Sequence, residues 1–443
     1  MTTKIHPISK FEHGFLQVGE NSFEQTHFEL LEKYLERQKQ KNQKSYLFET
    51  VRHKDKEKNG IKFKQYVGVI TVKDLTIYVL PKADKEKKED ESPELWRNRL
   101  TFMLSQVYKL NVQTTAPSNL KWRPNVLLNI FLKKFLDEVS VLLNRGLIKT
   151  YRKTDGNRTA LKGKLLFNKQ IAYNCVHQER FYVRYTTYDY NHILNRIIRQ
   201  ALLAVCDITN SSDIKGRATS TLFNFPELEE IAVTPELFSR LIYDRKSEDY
   251  RPVIKLAEMI LLNYSPDLHH GSNHVWTMMF DMNKLWEEFV YVTLKRKLTG
   301  YTVDAQDSRS FWRRQGVRAK TVRADIVITN DNGRFVLDTK WKTPYEKDSN
   351  GKMAISDADL HQMYVYSHIY KHDDNVEKKV NGVALLYPRC HEEDDIFGDF
   401  VDKTSCCDML FLPGKDYQST EDGKKECVSW QNAMADHIRE WID

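Results

Sequence analysis

Apolar side chains recur along this chain with a period that changes from helical to strand-like and back. Residues 22–41, 95–110 and 126–147 repeat apolar positions every three or four residues, as amphipathic helices do. Residues 46–80 instead carry short β-branched and aromatic runs that are separated by turn residues. The pattern therefore predicts a small β-rich module close to amphipathic helices.

The clearest strand pattern lies between residues 323 and 340. Apolar residues 326–328 precede the turn residues Asp331, Asn332 and Gly333, and apolar residues 335–337 follow them, which predicts a β-hairpin. The other patterns in this half of the chain predict helices over residues 281–298, 357–370 and 428–442, and strands over 381–388 and 408–413. A mixed α/β fold is expected here.

The predicted hairpin brings three charged side chains together. Alternate side chains of an extended strand share a face, so Asp338 and Lys340 point the same way, and a short turn brings Asp325 across from Asp338. Two converging carboxylates suit Mg²⁺, and a neighbouring lysine can orient a water or balance charge on a phosphate. This is the chemistry of a metal-dependent phosphodiesterase. The alternative is a surface ion pair between Asp338 and Lys340, which contributes little energy.

Two of the predicted helices place further polar side chains beside the hairpin. Either Glu287 or Glu288 lies at the edge of a buried helical stripe, where it would add a third carboxylate to the metal site; a solvent-facing glutamate fits the spacing equally well. In the helix that follows the hairpin, Gln362 and Tyr366 share one face. That face is well placed to contact the scissile phosphate or Lys340.

Composition narrows the class of protein. The chain has 443 residues, of which 41% are hydrophobic and 12% aromatic, enough for two or three folded domains. The net charge of +7 permits nucleic-acid binding without requiring it. The six cysteines include no C-x-x-C pair, so a structural zinc site is not expected, and His269 and His270 are expected at the surface. With no signal peptide and no apolar run of about 18 residues, a cytoplasmic protein without membrane contact is predicted.

The middle of the chain leaves two interpretations open. Basic and aromatic side chains alternate between residues 158 and 202, which fits either a surface that follows a nucleic-acid backbone or the edges of ordinary strands. Gly156 and Gly163 are too far apart for a phosphate-binding loop, and Leu165 stands where serine or threonine would bind Mg²⁺. The chain is therefore not expected to hydrolyse nucleotides itself.

Asp325 followed by Asp338-x-Lys340 resembles the active site of the PD-(D/E)xK nuclease superfamily, with Ala324 where the motif's name has proline. The surrounding motifs are more specific, and with them most of the chain resembles the McrC subunit of McrBC modification-dependent restriction systems. They are Glu287 ahead of the hairpin, Gln362-x-x-x-Tyr366 and the run ending at Pro388 behind it, and residues 66–82, 161–167 and 191–198 upstream.

This resemblance implies a domain organisation and a set of roles. It implies an N-terminal β-rich partner-binding module over residues 1–112, a mostly helical middle region over 113–275, and a restriction-endonuclease-like α/β/α nuclease core over 276–443. It further implies Mg²⁺ as cofactor, DNA as substrate and a hexameric AAA+ GTPase partner whose activity the chain stimulates. The residues it implies are Asp325, Asp338 and Glu287 as metal ligands, with Lys340 and Gln362 completing the catalytic set.

The leading hypothesis is a Mg²⁺-dependent DNA endonuclease subunit of a restriction system directed at modified bases such as 5-methylcytosine. One alternative is a regulatory subunit that activates a partner GTPase while its nuclease site is idle. Another is an autonomous DNA nuclease that needs no motor. Cleavage assays with and without the partner and GTP separate the three.

Overall fold

The computed structural model describes residues 7–40, 46–53, 58–73, 75–81, 93–109, 126–209, 211–262, 264–265, 275–314, 317–331, 333–342, 346–347, 353–354, 356–370, 380–388, 396–399, 406–411 and 423–442. The charged run 82–92, the pair His269-His270 and the turn residue Asn332 lie outside these ranges. The chain folds into two compact units, of which the smaller is Asn125–Met278 and the larger combines Met1–Pro124 with Met279–Asp443.

The N-terminal part of the larger unit is the predicted β-rich module. Its elements are β1 (Ile8–Phe11), β2 (Phe15–Gln17), α1 (Gln25–Gln40), β3 (Phe48–Val51), β4 (Gly60–Phe63), β5 (Tyr66–Val72), β6 (Leu75–Leu80) and α2 (Pro93–Val107). Strand β6 pairs in parallel with β1 and antiparallel with β5, and β2, β4 and β3 form a second, antiparallel sheet. All six residues of β6 are buried, which explains why its sequence is a continuous apolar run without alternation.

The smaller unit combines helices with a three-stranded sheet. Its elements are α3 (Val126–Arg145), β7 (Thr150–Arg158), β8 (Lys164–Leu165), α4 (Phe167–Asn174), β9 (Phe181–Asp189), α5 (Ile193–Ile208), α6 (Ser212–Phe223), α7 (Pro235–Ser239), a 3₁₀ turn (Glu248–Tyr250), α8 (Arg251–Leu262) and β10 (Tyr264–Ser265); β11 (Val275–Asp281) runs across the boundary between the units. Strands β7 and β9 pair antiparallel along their whole length, and β8 joins β9. Buried Asn195 ties α5 to the loop before β7 by donating to the Ile148 and Tyr190 carbonyls.

The C-terminal part of the larger unit holds a six-stranded mixed sheet. Its elements are α9 (Met282–Lys297), β12 (Thr302–Arg314), β13 (Val317–Thr329), β14 (Arg334–Thr339), β15 (Glu346–Lys347), β16 (Met353–Ala354), α10 (Asp357–Ile369), β17 (Val380–Tyr387), β18 (Ile396–Asp399), β19 (Cys406–Phe411) and α11 (Gly423–Ile442). The strand order is β12-β13-β14-β17-β19-β18, and β14, β17 and β19 run parallel to one another. The mixed α/β fold predicted from the sequence is confirmed.

Tryptophan side chains join the two parts of the larger unit. Trp341, directly after β14, packs edge-on against Trp96 of α2 with ring centroids 5.9 Å apart, and its ring centroid lies 5.3 Å from that of Trp286 in α9. Its indole N–H also donates to Glu12 Oε1 at 2.7 Å, and both side chains are buried. The end of β14 is thus held by the N-terminal part of the chain as well as by its own sheet.

Among the described helices, none combines the length with the apolar character that a membrane crossing requires.

Candidate active site

The β13–β14 hairpin positions the predicted acidic pair. Its register pairs Ile326 with Leu337 and Ile328 with Phe335, so the next position along each strand holds Asp325 and Asp338. Apolar residues 326–328 and 335–337 are all buried, so a one-residue slip would disturb the packing on both faces of the hairpin. The hairpin and the convergence of its carboxylates follow from this pattern.

Asp338 is a buried carboxylate held by three side chains. It is only 1% exposed; it forms an ion pair with Lys340 through Oδ2, its Oδ1 accepts a hydrogen bond from Gln362 at 3.1 Å, and the same Oδ1 lies 3.4 Å from the Tyr366 hydroxyl oxygen. Burial, followed by the nearby charge of Asp325, raises the pKa of Asp338 to about 6 despite the opposing effect of Lys340. The interpretation of Asp338 and Lys340 as a mere surface ion pair is therefore wrong.

Lys340 lies among several acceptors. Besides its ion pair with Asp338, its ammonium donates to Gln362 Oε1 at 3.0 Å, and Asp359 Oδ1 is 3.8 Å from Nζ. Burial lowers the pKa of Lys340, but the ion pair with Asp338 and the charges of Asp359 and Asp325 together outweigh burial, so the net pKa is raised. The side chain is a cation at neutral pH, which suits it to stabilising negative charge and not to accepting a proton.

Asp325 is anchored by Thr339, which lies on the other strand of the hairpin. Its Oδ2 accepts hydrogen bonds from the Thr339 backbone N–H at 2.8 Å and from the Thr339 hydroxyl at 3.0 Å. Two donors on one oxygen fix the carboxylate's orientation across the hairpin. Thr339, which lies between Asp338 and Lys340 in sequence, is therefore a positioning residue.

The structure distinguishes between the two candidate glutamates of α9. Glu287 is half-buried and accepts a hydrogen bond from Gln306, whereas Glu288 is exposed. Burial and then the charge of Asp325 raise the pKa of Glu287 to about 7, with a smaller contribution from Asp338. Glu287 is thus close enough to both hairpin carboxylates for their charges to act on it.

Helix α10 contributes two polar side chains, Gln362 and Tyr366, to the site. Gln362 donates to both Asp338 and the Tyr366 hydroxyl (2.7 Å) and accepts from Lys340, so one amide bridges the acid and the lysine. The Tyr366 hydroxyl donates in turn to the Arg323 carbonyl at 2.6 Å. The predicted shared face of Gln362 and Tyr366 is confirmed, and it ties α10 to β13.

The donor set fits a hard divalent cation. Among the described residues, no three acidic, histidine or cysteine side chains already have their ligand atoms gathered at one point. Yet Glu287 and Asp338 both have pKa values raised by burial and by the charge of Asp325, and carboxylate oxygens are the donors that Mg²⁺ prefers. A cation bound among the three would relieve that repulsion.

Sequence reasoning missed two residues around this site. Asp359 on α10 lies near Lys340 and pairs with Lys342 at 2.5 Å, and Gln306 on β12 has a left-handed φ of 58° and donates to Glu287. Asp359 stands three residues before Gln362, and that helical spacing is a signal that would have placed both on the same face. Nothing in the sequence around Gln306 indicates its backbone conformation.

Comparisons with known proteins identify the family. A family model described as McrBC 5-methylcytosine restriction system component matches residues 61–388. The type IV methyl-directed restriction enzyme EcoKMcrBC of Escherichia coli strain K12 is 23% identical over 313 residues, covering 67% of this chain and 87% of that relative.

Two solved structures from Thermococcus gammatolerans are also similar. A refined half-complex from a tetradecameric assembly of McrB AAA+ hexamers with bound McrC has a TM-score of 0.54 and 20% identity, covering 97% of this chain and 100% of the matched chain. The cryo-EM structure of the McrBC complex has a TM-score of 0.44 and 22% identity over 66% and 88% of the two chains. At these identities the first likeness concerns the fold alone.

Fold and site define a mixed α/β protein with a carboxylate and lysine site on a strand hairpin, and the family match supplies its class, a restriction-system component. The chain belongs to the McrBC family of 5-methylcytosine restriction system components. The resemblance to McrC seen in its sequence is confirmed by these matches.

Proposed function

We propose that this chain is the DNA endonuclease subunit of a modification-dependent restriction system, with a PD-(D/E)xK-type site formed by Asp325, Asp338 and Lys340. The observation that carries the proposal is the buried cluster in which Asp338 pairs with Lys340 and both are held by Gln362. Burying charged groups costs stability, and perturbed pKa values concentrate at functional sites.

Each protein group has a distinct task in this proposal. Lys340, held as a cation by Asp338, orients the attacking water and stabilises the negative charge that develops on the phosphate. Gln362 keeps Lys340 and Asp338 at a fixed distance from each other, and Thr339 holds the Asp325 carboxylate in place. The expected products carry 5′-phosphate and 3′-hydroxyl ends, as the superfamily resemblance implies.

The residues that would hold a metal are Asp325, Asp338 and Glu287. When bound, Mg²⁺ would supply Lewis-acid activation of water and neutralise phosphate charge. The raised pKa values of Glu287 and Asp338 describe the metal-free protein, in which the carboxylates repel one another. A cation lowers such pKa values because it favours the charged forms.

The proposed partner is a hexameric AAA+ GTPase. One related structure contains McrB AAA+ hexamers with bound McrC, and the Escherichia coli relative is a methyl-directed restriction enzyme. By analogy, the partner would recognise modified DNA and translocate, and the N-terminal β-rich module of this chain would stimulate its GTPase. The phosphate-binding loop that the sequence lacks would then reside on the partner.

The experiment that tests the proposal is cleavage of methylated and unmethylated plasmid with Mg²⁺, with and without the cognate GTPase and GTP. Wild type and Asp338→Ala are compared under each condition. The proposal expects cleavage that requires methylation, the partner, GTP and Asp338. Equal cleavage by Asp338→Ala would refute the site, GTPase stimulation without cleavage would favour the regulatory alternative, and cleavage without the partner would favour the autonomous nuclease.

A further inference from the structure

Strands β12 and β13 extend well beyond the sheet that holds the candidate catalytic hairpin. Each strand is 13 residues long, and they pair along most of that length. Strand β14 pairs only with the last part of β13, from Ile326 to Thr329. The section that begins near Asp307 on β12 and ends near Arg323 on β13 is therefore a two-stranded ribbon, here called the β12–β13 ribbon.

The ribbon is strongly basic. Between residues 308 and 323 the sequence has no aspartate or glutamate, and its basic residues are Arg309, Arg313, Arg314, Arg318, Lys320 and Arg323. Arg309 pairs with Asp307 at the ribbon's base, at 2.9 Å. The ribbon thus concentrates positively charged residues, although the net charge of the whole chain is only +7. Such a concentration indicates a polyanionic partner.

The ribbon also exposes two large aromatic side chains. Phe311 is 50% exposed and Trp312 is 53% exposed, and the two are adjacent in a sequence rich in arginine. Two neighbouring exposed aromatic rings do not contribute to the stability of the folded monomer. Such rings are available to pack against the sugars or bases of a nucleic acid. Basic residues with interleaved aromatics are the combination that binds nucleic-acid strands.

A pocket connects the ribbon to the candidate active site. It has a volume of about 360 Å³, within the range of small-ligand sites, and its lining includes Phe311, Arg323, His361, Gln362, Val365 and Tyr366. Gln362 is the same side chain that holds Lys340 and Asp338. The pocket therefore begins where the proposed cleavage chemistry takes place.

The Arg323 side chain lies at the junction of the ribbon and the site. It is exposed, it lines the pocket, and its charge acts on Glu287 together with the charges of Asp325 and Asp338. Its backbone is held in place because its carbonyl accepts the Tyr366 hydroxyl. A guanidinium near the acidic cluster is well suited to contact a phosphate next to the one being cleaved.

We propose that the β12–β13 ribbon is the DNA-binding arm of this chain: Arg323 contacts the phosphate that neighbours the scissile one, and the pocket beside Gln362 takes the sugar of that nucleotide against Phe311. This inference rests on the proposed nuclease function and names the residues that hold its substrate. Exposed Lys320 adds positive charge along the duplex backbone, where each neutralised phosphate releases counterions.

The test is binding of a short fluorescein-labelled DNA duplex to the full-length chain in EDTA, followed by anisotropy over a salt series from roughly 50 to 200 mM. Arg323→Ala is expected to weaken binding about tenfold and to lower the slope of log K against log salt by about 1. Arg323→Lys should keep most of the slope. Phe311→Ala and Trp312→Ala should each weaken binding about tenfold with the slope unchanged, because aromatic contacts with the DNA are not ionic.

Matched controls come from the smaller unit. Arg245 is exposed and Phe223 is 91% exposed, so Arg245→Ala and Phe223→Ala remove the same side-chain types and should bind DNA as wild type does. Thermal unfolding of every variant checks folding. Ribbon variants that bind like these controls, or a wild-type chain that does not bind the duplex at the lowest salt, would overturn the inference.

The binding assay contains no metal and measures no cleavage, so it separates the two proposals. If ribbon variants lose binding while the complete system with partner and GTP never cuts DNA, the nuclease function is wrong and the DNA-binding arm stands. If the complete system cuts DNA and the ribbon variants bind normally, the arm is wrong and the nuclease function stands.

Discussion

Each unit of the molecule contains a carboxylate paired with a basic side chain on a strand, and the two pairs differ in what surrounds them. Asp155 on β7 accepts hydrogen bonds from both Nε and Nη2 of Arg184 on β9, at 2.7 and 2.9 Å, at the protein surface. Asp338 on β14 pairs with Lys340 two residues away, deep in the larger unit. The geometry of both pairs is favourable.

Their pKa values move in opposite directions. The hydrogen bonds from Arg184 lower the pKa of Asp155 to about 2, since water still solvates the carboxylate. Burial raises the pKa of Asp338 to about 6, even though Lys340 opposes that effect. Pairing alone therefore does not mark a functional site. Perturbed pKa values concentrate at functional sites, so we propose the buried Asp338, whose pKa stays raised beside Lys340 and Asp325, as the functional one of the two acids.

The largest expected effect is on DNA cleavage, which should depend on Asp338 and not on Asp155. Asp338→Asn keeps the side chain's shape but removes a proposed metal ligand, so cleavage by the complete system should fall about a thousandfold or more. Asp155→Asn should cut DNA at the wild-type rate. Both are measured as initial rates on methylated plasmid, and similar losses in the two variants would contradict the comparison.

Gln362→Ala should have the next largest effect. The substitution removes the amide that holds Lys340 and Asp338, and loss of such supporting contacts reduces activity by about 10- to 100-fold. Tyr366→Phe, which leaves the Gln362 contacts to both charged groups intact, should lose less. Single-turnover cleavage rates rank the variants, and an equal loss would assign the positioning role to the tyrosine.

Trp341→Phe should reduce stability more than it reduces activity. It removes the indole N–H that donates to buried Glu12, and a hydrogen bond to a charged group contributes about 1.5–3 kcal/mol. Urea unfolding measures the loss. Because Trp96 packs against the same ring, Trp96→Phe serves as the control that keeps the hydrogen bond, and a smaller loss is expected for it.

Glu287→Gln should change how stability depends on pH in the metal-free protein. Folded Glu287 keeps its proton up to about pH 7, whereas the ordinary pKa is 4.5, so folding takes up a proton between these values and stability falls as pH rises through this window. The glutamine variant lacks this loss and should be the more stable protein above pH 7. Melting temperatures in EDTA across the window measure it; parallel curves would contradict the assignment.

The smallest effect is expected at the surface pair. Arg184→Gln removes an exposed ion pair, and such pairs contribute little because water and salt screen them. Because the Asp155 pKa is depressed, whatever stability the pair supplies is present above about pH 4 and is lost as pH falls toward 2. A melting temperature unchanged at neutral pH is the expected result.

The hairpin and the shared direction of Asp338 and Lys340 could be predicted because strand geometry and the turn residues between the strands are local features of the sequence. The sheet of β7, β8 and β9 could not, since polar positions outnumber apolar ones in β7 and leave no alternating pattern. The contact of Trp341 with Glu12 could not be predicted either, because residues so far apart in sequence share no spacing. The local geometry of the site thus follows from the sequence pattern, and its tertiary support does not.

The most direct test of the central claim is calorimetric titration of Mg²⁺ into the full-length chain without DNA, comparing wild type, Asp338→Asn and Asp155→Asn. The account predicts saturable binding by wild type and by Asp155→Asn, and its loss in Asp338→Asn, because only the buried acid belongs to a site built for a cation. Equal Mg²⁺ affinity in all three proteins would contradict the account.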